Sequence, residues 1–124
     1  MILLYNIKLK RAYDDISEND GYRVLVDRLW PRGIKKEALE HDWWPKYIAP
    51  SDDLRKDFGH DESKFDDFKE SYVKELNQND QKDAFLSKVK DQLGKRSMTL
   101  LYAAKDRENN QAVVLKDWLE DKID

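Results

Sequence analysis

Arg28 and Arg32 flank Trp30 and Pro31 in the run Asp27-Arg28-Leu29-Trp30-Pro31-Arg32-Gly33, and Lys105-Asp106-Arg107 forms a second charged turn far along the chain. Guanidinium forks match oxyanions and phosphates bidentately, so two such turns brought together would make an anion cradle. A helix starting near Asn109 and Asn110 would add backbone amides that attract the same kind of ligand. Acid–base chemistry has few candidates. His60 can titrate near neutrality, and Asp27 and Asp106 are the carboxylates nearest the arginines in sequence. No serine lies in a nucleophile-elbow pattern, and four scattered glycines form neither a P-loop nor a dinucleotide fingerprint. With no cysteine, thiolate catalysis, disulfides and cysteine-built metal sites are excluded. Two histidines, His41 and His60, are too few for a multi-histidine centre, and the carboxylates that could take magnesium or calcium show no EF-hand spacing; no cofactor and no metal are expected.

Each of these residues also has a purely structural reading. Arg28 and Arg32 can pair with Asp27 and an acidic helix face, since ion-pair networks mimic functional clusters. Trp30, Trp43 and Trp44 can be core or lid residues. His60 can hydrogen-bond Asp61 or a loop carbonyl. Ser51 reads first as a helix cap. A binding domain or enzyme for a small anionic ligand therefore stands beside a non-catalytic protein-interaction or regulatory module built on Trp43-Trp44-Pro45 and an acidic helix.

Composition narrows the partners. The net charge is −3, which argues against nucleic acid. Basic residues concentrate between 23 and 36 (Arg23, Arg28, Arg32, Lys35, Lys36), and acidic ones between 52 and 67. The opening Met1-Ile2-Leu3-Leu4-Tyr5 run is too short for a leader or a membrane span, so a cytoplasmic protein with no membrane partner is expected. Length sets one domain, 1–124, and 40% hydrophobic residues supply its core.

The elements that would position these side chains follow from periodicity. Alternation over 2–9 predicts a half-buried strand with Leu3, Tyr5, Ile7 and Leu9 on one face. A turn at Asn19-Asp20-Gly21 leads to a second strand over 22–29, ended by Trp30-Pro31-Arg32-Gly33. Lys35 to His41 is compatible with a short helix. Ser51 starts another that Gly59 closes. Amphipathic helices are predicted over 61–78, on Phe65, Phe68, Tyr72 and Leu76, and over 80–93, with Gly94 in a left-handed cap. Residues 98–104 are apolar on both faces and predict a central strand, followed by a last helix carrying Val114, Leu115, Trp118 and Leu119. Helices between the second and third strands favour parallel pairing, and the first strand's direction stays open. The fold class is α/β, a small mainly parallel sheet of three to four strands with helices packed on it. Ligands in such sheets bind beyond the carboxyl ends of the strands, where both charged turns would lie.

Several segments resemble the YeaO-like family, a bacterial domain of unknown function. They are Gly21-Tyr22-Arg23-Val24-Leu25-Val26-Asp27-Arg28-Leu29-Trp30-Pro31-Arg32-Gly33, then Ala49-Pro50-Ser51, Leu54-Arg55 and Phe58-Gly59-His60. Thr99-Leu100-Leu101-Tyr102-Ala103-Ala104-Lys105-Asp106 and Ala112-Val113-Val114-Leu115 are similar to its closing strand and helix. The resemblance implies a small α/β domain with no agreed activity. Its motif arginines fall on Arg28, Arg32 and Arg55, which adds Arg55 to the candidate ligand-binding set of Arg28, Trp30, Arg32, His60, Lys105 and Asn110. It also implies Asn-His where this chain has Asn110-Gln111, and a nearby cysteine in longer members. Lacking both, the chain weakens the case for a histidine- or thiol-based mechanism there.

Overall fold

Met98–Tyr102 organises the molecule. All five of its residues are buried, and such a segment can only be covered on both faces and both edges. In the computed structural model, which describes residues 6–123, it is the middle of three strands. We number them β1 (Ile7–Arg11), β2 (Tyr22–Leu25) and β3 (Met98–Tyr102). The order is β1-β3-β2, and both neighbours run parallel to β3, with Ile7 and Tyr22 each opposite Met98. The direction of the first strand is thereby fixed. Of the stretch predicted over 2–9, residues 7–9 lie in β1, which continues to Arg11; residues 2–5 lie outside the described residues.

β2 departs from the alternating pattern, since all four of its residues are buried. Its free edge is covered by the backbone at 42–43, where Val24 bridges Trp43 in parallel and Leu25 N donates to Trp43 O at 2.9 Å. A one-residue rudiment of a fourth strand blunts that edge. Arg23, counted with the surface cations above, is buried. It donates to Asp20 Oδ2 at 2.5 Å and to Glu40 O at 2.6 Å.

Four α-helices follow the predicted stripes: α1 (Asp52–Phe58), α2 (Phe65–Gln78), α3 (Lys82–Leu93) and α4 (Gln111–Ile123). Ser51 caps α1, accepting from Leu54 N at 3.3 Å, and Gly59 closes it in the left-handed region. Residues 62–64 form a 3-10 turn leading into α2. Gly94 has a φ of −74°, so the left-handed cap expected there does not form; its N–H simply continues the ladder to Lys90 O. The proposed helix over Lys35–His41 is a series of turns. Ile34, Leu39, Trp30 and Trp44 all pack on the sheet there, and the backbone closes only local bonds such as Ala38 N to Lys35 O.

Successive strand residues face opposite sides, so the sheet carries two cores. Val24, Leu100 and Tyr102 meet the helices, with Tyr72, Phe85, Leu115 and Leu119. Leu25 and Leu101 meet Ala12 and Leu39 under the turns of residues 30–44. One face thus has a helical layer and the other a loop layer. No helix of the described residues is long and apolar enough to cross a membrane.

Gly21 joins the 3-10 turn Glu18–Asp20 to β2 with φ 66° and ψ −130°. A Cβ built there would lie 2.0 Å from Ser97 O, the carbonyl that accepts from Tyr22 N. Gly21→Ala is therefore expected to cost about 2–4 kcal/mol, from backbone strain and the clash together. Urea unfolding checks this as a lowered midpoint at unchanged slope.

Candidate functional site

The ladder between β2 and β3 ends where Val26 N donates to Leu101 O at 3.0 Å. One residue on, the chain turns away, and the Asp27 carboxylate takes over. Its Oδ2 accepts from Ala103 N at 2.9 Å, and its Oδ1 accepts from the Gln111 side-chain amide at the start of α4. From the other side Arg11, the last residue of β1, donates to Ala104 O at 2.8 Å and Ala103 O at 2.9 Å. The exit of β3 is clamped by both neighbours, which give partners to Ala103 N, Ala103 O and Ala104 O as the ladder ends.

Beyond this clamp, at the carboxyl ends of the strands, opens a cleft of about 580 Å³. Arg28, Trp30 and Arg32 line it from the β2 exit, and Lys105 and Asp106 from the β3 exit. Arg55, Phe58 and His60 come from α1 and its end, and Phe68 from α2. The two charged turns are neighbours, as parallel strands require.

The cations differ in how they are held. Arg28 is anchored by Pro50 O at 3.0 Å and Ala49 O at 3.2 Å, with Asp52 at 3.9 Å. Arg55 donates from Nη2 to Asp52 at 3.1 Å, while its Nε is shielded from solvent and has no hydrogen-bond partner. Arg32 and Lys105 have no acidic partner among the described residues. Arg107 is elsewhere, in a bidentate pair with Asp14 at 2.9 and 3.0 Å.

Asp106 lines the cleft, but its oxygens are occupied by Glu108 N, Asn109 N and Asn109 Nδ2. Those bonds hold it below the usual carboxylate range. Asn110 does not line the cleft. It is fully buried, accepting from Val113 N and donating to Asp106 O, so it caps α4 and uses the amide that an anion would have met. His60 is exposed at a left-handed φ of 60° beside Phe58. Trp30 stacks edge-on to Trp44 and His41 and donates to Ile34 O. Trp43 and Trp44 are half-buried; Trp43 packs on Phe85, and Trp44 donates to Asp27 O at 2.7 Å. Gln111, Tyr13, Phe58 and Phe68 also line the cleft without having been singled out for it. The two phenylalanines fit a core stripe, and nothing local marks Gln111 as the partner of Asp27.

Burial pushes Asp27 up to about 6; the Ala103 and Gln111 bonds and the charge of Arg55 pull the other way. Among the described residues no three His, Asp or Glu side chains gather as a metal centre.

A small parallel α/β domain with a cationic cleft at its strand ends is the class these features define. The chain matches over residues 6–124 the family described as the inactive DUF488-N3 subclade, and it belongs to that family. It is 48% identical over 114 residues to the uncharacterized protein YeaO of Escherichia coli K12, covering 92% of this chain and 96% of that protein. It is 34% identical over 119 residues to the uncharacterized protein Rv3073c of Mycobacterium tuberculosis H37Rv, covering 96% of this chain and 98% of that one. No solved structure is detectably similar to it.

A carboxyl raised by folding stabilises the folded state fully below its unfolded value of 3.8, and that contribution is lost as pH rises through about 6. Relative to Asp27→Asn, the wild type should gain about 1–2 kcal/mol between pH 7.5 and pH 5. Paired urea titrations at the two pH values measure it. The lowered carboxylates Asp14, Asp20 and Asp106 are common to both proteins and cancel.

Proposed function

We propose that the cleft binds a small anion, phosphate-like in chemistry, and does no covalent chemistry on it. The carrying observation is the lining itself: Arg32 and Lys105 line the cleft with no acidic partner among the described residues, and Arg55 stands in the same wall with one guanidinium nitrogen on Asp52. Four cations, Arg28, Arg32, Arg55 and Lys105, outnumber the acids Asp27 and Asp106 in the lining.

Binding without turnover is supported by the state of the acid–base groups. Asp106 is tied into its turn, Asp27 holds the β3 exit, and the chain has no cysteine to act as a nucleophile. The description of the family as inactive points the same way.

Sulfate and inorganic phosphate should each raise the melting temperature in a saturable manner, since a ligand of the native state stabilises it by mass action. Arg55→Gln and Lys105→Gln should each weaken the anion roughly tenfold or more, the scale of a lost charge-assisted hydrogen bond. Arg107→Gln, outside the cleft, should leave the affinity unchanged. A protein that no anion stabilises, or an Arg55→Gln variant that binds as the wild type does, would refute the reading.

A further inference from the structure

The cleft is larger than an inorganic anion needs. At about 580 Å³ it falls in the range of sites for organic ligands. Its cations sit with apolar walls, among them Pro50, Phe58, Phe68 and Ala103. A bare phosphate would leave most of that surface to water, so the anion should carry an apolar body.

Asp27 constrains the body further. It lines the cleft, it is desolvated, and among the described residues no lysine, arginine or histidine nitrogen lies within ion-pair distance of it. A carboxylate has about four acceptor positions. The protein fills two, with Ala103 N and the Gln111 amide. An asparagine could make both bonds, accepting from Ala103 N and donating to a turned Gln111, without the cost of a buried charge. The carboxylate is thus over-provided for its structural task, and its spare acceptor capacity belongs to a group in the cleft wall.

We infer that the ligand is an anion whose apolar body also carries an N–H donor, received by Asp27 while the anionic group meets Arg55, Arg32 and Lys105. This rests on the anion reading above and adds the second recognition point. The ligand class is an amino- or imino-bearing ring or chain with a phosphate, sulfate or sulfonate group.

Binding of sulfate, benzenesulfonate, and 3- and 4-aminobenzenesulfonate to the intact protein tests it by calorimetry at constant ionic strength. These sulfonates keep one charge state between pH 5 and 8. At pH 7.5 benzenesulfonate should bind more tightly than sulfate, and at least one amino isomer about tenfold more tightly again. Asp27→Asn, which removes a negative charge from the cleft wall, should bind benzenesulfonate at least as tightly as the wild type and reduce the amino gain below about twofold, as expected when a charged acceptor becomes a neutral one already in use. Should that variant not fold, the wild type alone decides. The ratio between amino and parent compounds should fall toward one as pH drops to 5 and Asp27 takes up a proton. Over that range Tyr72, held neutral by burial, stays uncharged, while Arg28, Arg32, Arg55, His60, Lys105 and Asp106 face both ligands alike. Equal binding of amino and parent compounds, or a gain that survives Asp27→Asn, overturns the inference and leaves the anion reading standing. Failure of every sulfonate and of sulfate to bind removes both.

Discussion

The structure turns on the exit of β3. A central strand flanked by two parallel neighbours must leave the sheet at the same edge as both, and there its amide and carbonyl groups lose their ladder partners. Asp27 and Arg11, one from each neighbour, replace those partners with side chains. The clamp costs a partly buried carboxylate and yields a floor between two charged turns. That floor lies between Arg28 and Arg32 on one side and Lys105 on the other. Gln111 extends the clamp into α4, so the strand ends and the last helix share one hydrogen-bonded joint.

The two faces of the sheet are unequally secured. The helical face buries large side chains in depth, from Phe58 and Phe68 to Trp118. The opposite face has a core of Ala12, Leu25, Leu39 and Leu101, roofed by the half-buried Trp30, Ile34 and Trp44. Loop segments with few buried contacts open at lower free energy than helices docked on a sheet. One wall of the cleft therefore stands on the stable layer, with Arg55 on α1. The other, carrying Trp30 and Arg32, belongs to the loop layer, tied by indole bonds to Ile34 O and Asp27 O and by the Tyr13 hydroxyl to Arg32 O.

Much of this was legible before any coordinates. Residues 98–104 read as central because no polar face interrupts them, and the Ser51–Gly59 frame of α1 follows from capping chemistry that acts within one turn. Parallel pairing of β2 and β3 followed from the helices between them, and with it the meeting of the WPRG and Lys105-Asp106 turns. What escaped depends on tertiary partners. Arg23 looks like a surface cation until Asp20 and Glu40 O close around it. Lys35–His41 has helical spacing, but the sheet face beneath it needed an apolar cover, and packing set its turns. Asn110 sits where a helix-end anion site would be, and its own side chain fills that role as the cap. Asp27 and Gln111 lie 84 positions apart, beyond the reach of any local pattern.

The proposed anion site raises an electrostatic question on an acidic protein, and the charge layout answers it. With a net charge of −3, the long-range field disfavours anions, and the exposed aspartates of α1 and the start of α2 reinforce it. That field is screened over about 8 Å at physiological ionic strength, whereas charges at hydrogen-bond distance in a half-enclosed cleft are screened much less. A small anion therefore feels the cations once it has entered. A polyanion spanning many nucleotides must also cross the surface outside, where Asp52, Asp53, Asp57, Asp66 and Asp67 are exposed. On the proposed reading, the arrangement that would admit a single phosphate-sized group works against nucleic acid. It also makes recognition depend on contacts inside the cleft, where the donor and acceptor positions of Arg55 and Asp27 can tell one small anion from another.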